Sequence, residues 1–358
     1  MSNGRVKYIS FMYVAATVAV VIMHANSSFW HYSTDSYWGI TNVIESVFYC
    51  AVPVFFMLTG ATLIDYQKRY STKTFFKKRF LKTVIPFLAW SIFALFWKSR
   101  ETIWAMITGA PNNGLDWTVG SVIKGIVNTQ IYSIYWFFIP LFCIYLTIPF
   151  YAAIPEKKRV KVYTYAIAAS LVFNYSIPFV LGLLSAYTDF SMTSTLTVFI
   201  SHQYLIYPLI GYVLHKKELE RKYRFIIYGT AIAGLLTFML GTYFDTRSQG
   251  KLVGTFRGYY SLPCVLYSAG MFLFLKNISV KIKSEKVLRF LMWFQGYSFP
   301  IYLIHRYYLD VFEKYVPLLH WTTASLLYVA GATLLALLLS VLTTWILRKI
   351  PILRHIVP

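Results

Sequence analysis

In a chain of 358 residues, 58% hydrophobic and 19% aromatic side chains against 13% charged ones leave too little polar surface for a water-soluble globule. The net charge of +21 would point to nucleic acid in a soluble protein. Here the Lys and Arg lie between long apolar runs, so they read as loop charges that set topology and touch anionic lipid, and no nucleic-acid partner is expected.

Ten apolar stretches follow one another near 8–29, 44–64, 79–97, 133–153, 162–180, 196–214, 225–243, 260–275, 291–312 and 323–347. Each approaches the roughly 20 residues that a spanning helix needs. The gaps between them sort by charge. The side that starts with the N-terminus (Arg5, Lys7) holds 26 of the 34 Lys and Arg, and the other side holds 8. Cytoplasmic loops carry the Lys/Arg excess, so both termini are expected in the cytoplasm. The fold expected is an all-α polytopic membrane protein, a bundle of about ten transmembrane helices forming one domain over 1–358. The first run is too long for a signal-peptide core and lacks a small-residue cleavage site, so it reads as the first span. No internal repeat or low-complexity tract interrupts the pattern.

Smaller features follow the same frame. The longest stretch outside the spans, 98–132, contains Trp104, Pro111 and Trp117 and reads as an external amphipathic cap. Cys50, Cys143 and Cys264 fall within spans and read as packing residues. The sequons at Asn26, Asn174 and Asn277 read as chance matches. Trp30, Trp38, Trp90, Trp97, Trp136 and Trp321 sit near span ends, as an interfacial belt would. Pro53, Pro86, Pro140, Pro149, Pro178, Pro208, Pro263 and Pro300 lie in or beside spans and predict kinked helices around a cavity.

Polar side chains at membrane depth are costly and so are functional candidates. His24 ends the first span, about 24 Å above Tyr8 at the helical rise per residue. It is equally an interfacial histidine bonded to a backbone carbonyl and a side chain suited to general-base work. A basic segment (Lys68, Arg69, Lys73, Lys77, Lys78, Arg79, Lys82) leads into the third span. Most of it reads as a topology determinant. Arg79 and Lys82, three apart on one helical face at the mouth of the span, could grip an anionic cofactor through its phosphates. On the opposite side lie Glu45, His202, His305, Arg306, Asp310 and Glu313. Singly each reads as a solvated helix end rather than a site; with His24 they are compatible with an outward-facing polar chamber.

Five segments in order carry a resemblance. They are the first span ending in His24, Val-Pro-Val-Phe-Phe-Met-Leu-Thr-Gly (52–60), Lys-Lys-Arg-Phe-Leu-Lys-Thr-Val-Ile-Pro (77–86), Tyr-Trp-Phe-Phe-Ile-Pro from 135, and Ser-Phe-Pro-Ile-Tyr-Leu-Ile-His (298–305). Together they resemble the acyltransferase family 3 of integral membrane proteins over nearly the whole chain. The resemblance implies transfer of an acyl group, usually acetyl, from cytosolic acyl-CoA to a glycan hydroxyl at the outer face of a bacterial cytoplasmic membrane. It implies His24 as the catalytic base, taking a proton from the acceptor hydroxyl or else relaying the acyl group covalently, and Arg79, with Lys82 beside it, as the acyl-CoA contact. The residues then expected to hold the acceptor are Glu45, Trp136, Tyr302 and His305. No metal is expected. The partners expected are a glycan or lipid-linked glycan and membrane lipid, with a homo-oligomer or an envelope-synthesis complex left open. The chain departs from the family pattern at Tyr13, where an arginine is usual, at Ser10, where an acid is common, and at Lys82, where a second arginine is common. A neutral Tyr13 supplies no intramembrane cation, which is the basis of an alternative, a non-catalytic member that exports or assembles a polysaccharide. An ion-coupled transporter would carry paired midplane acids and inverted repeats, and the sequence has neither.

Overall fold

The computed structural model describes residues 3–110, 114–115, 117–315 and 325–358, and among these the chain is helical with no strand. In chain order the helices are α1 (Asn3–Ala25), α2 (Ser36–Phe48), α3 (Ala51–Leu63), α4 (Thr72–Arg79), α5 (Ile85–Thr108), α6 (Val119–Val127), α7 (Phe138–Ala153) and α8 (Glu156–Ser170). There follow α9 (Ile177–Tyr187), α10 (Ile206–Lys216), α11 (Arg221–Gln249), α12 (Leu262–Ser279), α13 (Glu285–Gln295), α14 (Ser298–Tyr315) and α15 (Ser325–Lys349).

Eight stretches among the described residues are long and apolar enough to cross a bilayer, beginning with Lys7–Ala25, Ser36–Lys68 and Thr72–Thr108 and ending with Leu326–Lys349. They account for eight of the expected spans, and the protein is a multi-pass membrane protein. The stretches expected at 196–214 and 291–312 take other forms. In the first, Asn174 accepts from the Val198 amide at 2.8 Å and donates to its carbonyl at 3.0 Å, holding that strand-like segment extended. Two 3-10 turns then lead into the eleven-residue α10. The second is broken at Gly296, whose carbonyl is claimed by Arg348 at 2.6 Å. Its first part, α13, keeps Phe290, Met292 and Trp293 exposed beside Lys286 and Arg289, the composition of an interfacial helix.

The centre is α3 against α10. Nearly every residue of α3 is buried, as is the run Ile206–Leu214. A Cβ built on Gly60 would stand 2.0 Å from the Pro208 carbonyl oxygen, and one on Gly211 2.0 Å from that of Met57. The backbones touch where both helices carry glycine, which is how helices adhere in lipid, where apolar burial gives no driving force. α1 and α12 pack beside this pair, while α5, α9 and α15 show apolar faces outward.

The two ends carry separate ion-pair networks. At the end formed by the last turns of α3 and α10 and the start of α8, Asp65 meets Arg159 at 2.7 Å, Lys216 at 2.5 Å and the Tyr212 hydroxyl at 2.9 Å, and Lys68 pairs with Glu156. At the other end Arg306 holds Asp310 at 2.9 Å and Glu313 at 2.7 Å, and Glu45 pairs with Arg257 at 3.3 Å.

Several expectations are corrected. Pro86 and Pro178 interrupt long helices, each following a π-turn (Phe80–Val84 and Leu171–Ser176), whereas Pro263 starts α12, where the missing N–H is harmless. Pro149 lies inside α7. Trp38 and Trp90 are buried inside the protein rather than facing outward, each donating its indole N–H to a carbonyl, of Phe29 at 3.0 Å and of Ile356 at 2.9 Å. Cys143 is exposed, whereas Cys50 and Cys264 are buried. The 98–132 segment is an extension of α5 to a left-handed Gly109, then α6, which leaves Val119, Ile123 and Val127 exposed along one stripe. Trp321 and Pro111 lie outside the described residues.

The helix crossing makes a prediction. Gly60→Ala forces a methyl group into the Pro208 carbonyl and should cost roughly 1–3 kcal/mol or more. Gly229→Ala, in an open part of α11, should leave the protein as stable or slightly more so. Thermal unfolding midpoints in detergent compare the two.

Candidate functional site

His24 is presented by the last turn of α1 and held from behind by α14. Its Nδ1 lies 2.7 Å from His305 Nε2, the rings stacked with centroids 5.0 Å apart. His305 Nδ1 lies 2.8 Å from the Ile301 carbonyl, which can only accept. With both rings neutral, His305 therefore carries its proton on Nδ1 and accepts at Nε2. His24 then donates from Nδ1, and its Nε2 lone pair is left as a base. Arg306 grips the same turn through the His24 carbonyl at 3.0 Å. The guanidinium is itself locked by Asp310 and Glu313, and Asp310 accepts from the Tyr132 hydroxyl at 2.9 Å. Adjacent residues His305 and Arg306 thus clamp the ring and the backbone of His24 together.

His24 lines a chamber of about 310 Å³ whose other walls include Trp30, Glu45, Tyr49, Trp136 and Tyr259. Glu45 reaches it because Pro53, near the start of α3, cannot continue the helical ladder back to Tyr49, and the chain bends between α2 and α3. The Glu45 Oε2 atom is buried without a hydrogen-bond partner among the described residues. The aromatic walls stack on one another, Tyr49 on Tyr259 at 4.3 Å and Trp136 on Tyr259 at 5.1 Å.

A second cavity, of about 260 Å³, contains Arg79, Lys82, Tyr13, Phe137, Tyr145 and Tyr302 in its lining. Ser71 caps α4 by accepting from the Thr74 amide, and Arg79 is its last residue. Pro86 cannot donate to the Lys82 carbonyl, and the chain widens into a π-turn over Phe80–Val84 just before it. That turn leaves Arg79 and Lys82 on one cavity wall. Arg79 lies over the Tyr145 ring at 5.5 Å, and its Nε is buried with no hydrogen-bond partner among the described residues. An orphaned guanidinium nitrogen beside a lysine fits an anionic group such as a phosphate.

The cavities lie end to end. On α1 they are bordered by Val20 and Met23, around the α2–α3 bend by Val52 and Tyr49, and before α7 by the neighbours Phe137 and Trp136. On α1 the two borders lie three residues, about 4.5 Å, apart along the helix.

Of the residues expected to hold an acceptor, Glu45 and Trp136 line the chamber with His24. Tyr302 lines the other cavity, its hydroxyl bonded to the Ile134 carbonyl, and His305 is fully buried behind His24. His202 is not in either lining. Tyr13 stands in the same cavity as Arg79, and Ser10 donates to Gln295 at 2.7 Å. Sequence reasoning passed over Arg257, which pairs with Glu45 from the loop before α12, and over Tyr49 and Tyr259. The signal for Arg257 was that it is one of only eight Lys and Arg on the side poor in them, in one gap with Arg247 and Lys251.

The layout is that of a helical membrane protein with a basic cavity near a chamber that holds a hydrogen-bonded imidazole. The family model described as an acyltransferase domain matches residues 6–345, and the chain belongs to that family, acyltransferase family 3. It is a membrane acyltransferase. No curated protein and no solved structure matches it.

If His305 orients His24, His305→Ala should lower the turnover rate of acyl transfer by about 10–100-fold with little change in the donor KM. His305→Gln, which keeps an acceptor for the His24 N–H, should restore much of the rate; steady-state kinetics on the two variants would check this.

Proposed function

We propose that this protein transfers an acetyl group from cytosolic acyl-CoA to a hydroxyl of an envelope glycan or lipid-linked glycan, within the bacterial cytoplasmic membrane. The observation that carries this reading is the end-to-end placement of the basic cavity and the His24 chamber. On the positive-inside reading the Arg79 end faces the cytosol, so donor and acceptor would approach from opposite sides and meet at the shared wall. Arg79 and Lys82 would hold the donor's phosphates, with the pantetheine arm in the cavity lined by Val52, Phe137 and Leu141. Glu45 and Trp136 would hold the acceptor, and Tyr302 would border the arm.

His24 Nε2 would take the acceptor hydroxyl's proton as its oxygen attacks the thioester carbonyl. The new C–O bond forms, the C–S bond breaks, and the proton passes from His24 to the departing CoA thiolate. His305 and Arg306 keep Nε2 aimed into the chamber throughout. The wall residues Phe137 and Trp136 keep water from the thioester, which would otherwise be hydrolysed. A second reading, export or assembly of a polysaccharide without acyl-CoA, has one observation in its favour: Tyr13 leaves the donor cavity without the cation usual at that position.

The two readings part in one experiment. A deletion strain is complemented with wild type, His24→Ala or Arg79→Ala, with membrane levels matched, and both alkali-labile acetate and total glycan are measured on purified envelope glycans. For the enzyme, acetate falls in the deletion and His24→Ala fails to restore it while glycan quantity holds. In purified protein, Arg79→Ala should raise the acyl-CoA KM about tenfold or more, the loss of one charge-assisted phosphate contact. Loss of surface glycan that His24→Ala restores would favour export.

A further inference from the structure

Two buried polar atoms in the lining of the Arg79 cavity have no hydrogen-bond partner among the described residues, Arg79 Nε and Ser298 Oγ. A phosphate would satisfy the first; the second lies deeper in the membrane. Ser298 is 4% exposed. A hydroxyl inside a helix ordinarily bonds back to the carbonyl four residues earlier, and Thr17 and Thr59 do so, to Tyr13 at 2.7 Å and to Phe55 at 2.9 Å. Ser298 instead opens α14, directly after the break at Gly296, and the Phe294 carbonyl four residues earlier already accepts from the Tyr297 amide at 2.8 Å. A buried hydroxyl left unpaired is costly, and a ligand that pairs with it recovers that cost.

The height of Ser298 in the bundle determines which part of a ligand it would meet. Ser298 stands seven residues before His305 on α14, and Thr17 seven before His24 on α1. The two histidines touch at one level and Thr17 and Ser298 border one small cleft at another, so the two helices run side by side. Seven residues put Ser298 about 10 Å below the imidazole, on the side of the basic cavity. Tyr13, which lines that cavity with Arg79, is eleven residues and about 16 Å below it. In an extended pantetheine arm each bond advances about 1.2 Å. The second amide nitrogen, eight bonds from the thioester carbonyl carbon, then lies about 10 Å from it, and the first phosphorus, fourteen bonds away, about 17 Å. With the thioester carbonyl at His24 and the phosphates at Arg79, that amide falls at Ser298.

We infer that Ser298 is a donor-binding residue whose hydroxyl pairs with the second amide of the pantetheine arm, the one beside the pantoate unit, and so fixes how deep the arm reaches. A hydroxyl suits an amide because it can donate to the carbonyl or accept from the N–H. An acyl donor without amides has no such partner to offer. Tyr302, one turn further along the same face of α14, spends its hydroxyl on the Ile134 carbonyl and leaves its ring to border the arm. A donor held at two heights, by its phosphates and by this amide, delivers its thioester at a third. Ser298 has this part only if acyl-CoA is the donor, as proposed above, but the contact itself can be measured without turnover.

The test is equilibrium binding to full-length protein in nanodiscs with three probes. They are CoA, 3′-phosphoadenosine 5′-diphosphate, which is CoA without the arm, and a CoA analogue whose second amide is replaced by an all-carbon link of the same length. Ser298→Ala should weaken CoA binding about 3–10-fold, the loss of one neutral hydrogen bond, and leave the armless nucleotide unchanged. Arg79→Ala should weaken both. Wild type should discriminate CoA from the analogue about 3–10-fold better than Ser298→Ala does. An unchanged CoA affinity in Ser298→Ala overturns the proposal. So does an equal loss for CoA and the armless nucleotide, which is what a merely damaged fold would give, and so does a discrimination against the analogue that Ser298→Ala leaves intact. In each of these cases CoA binding by wild type keeps the acyl-CoA reading standing. If wild type binds neither CoA nor the nucleotide at millimolar concentration, that reading falls and takes the assignment of Ser298 with it.

Discussion

Where Gly60 meets Pro208 and Gly211 meets Met57, α3 and α10 touch backbone to backbone, and the rest of the bundle is arranged by that contact. In lipid no apolar driving force draws helices together, so close packing of small residues has to do it. Because the crossing is tight, the last turns of the two helices arrive together, and Asp65 can take both Arg159 and Lys216. At the other end of α3 the chain must bend, since Pro53 denies the ladder its donor, and the bend brings Tyr49 and Glu45 to the chamber wall. One crossing and one proline thus set the positions of the basic end and of half the chamber.

Charges within such a structure are tolerated only when paired, and the pairing here does more than satisfy them. Arg306 is held by two carboxylates and spends a remaining donor on the His24 backbone. His305 spends its two nitrogens on Ile301 and on His24. Both residues are held by several partners at once, and together they fix the orientation of the His24 ring. Arg79 differs in kind: its Nε is orphaned among the described residues. Arg257 shares that feature, its Nε being buried without a partner among the described residues although the guanidinium pairs with Glu45.

Much of the architecture was legible in the chain, because hydropathy and the Lys/Arg bias act on whole segments. Eight spans could be read from long apolar runs alone. The 196–214 run could not, since its first half is held extended by Asn174, a tertiary contact that leaves no trace in local periodicity. The prolines were legible in part: Pro86 and Pro178 interrupt long helices through π-turns and Pro263 begins one, and their spacing alone does not tell the two cases apart. His24, Arg79 and Lys82 stood out because polar groups at membrane depth are rare. Arg257 and the role of His305 depend on contacts across more than 200 residues of chain, and no local pattern carries that information.

The abutting cavities answer a problem that any transfer across a membrane poses. A thioester bound from the cytosol and a hydroxyl bound from outside must meet, yet an open passage would leak water and ions. Two separate cavities with neighbouring borders meet both demands. Phe137 and Trp136 are neighbours in sequence that line different cavities, and Phe137 is buried and stacked on Phe56 at 4.9 Å. Aromatic rings suit this place, since their apolar faces exclude water. The Tyr302 hydroxyl, tied to the Ile134 carbonyl, anchors α14 to the turn that carries both rings, and so keeps the wall beside the imidazole it serves.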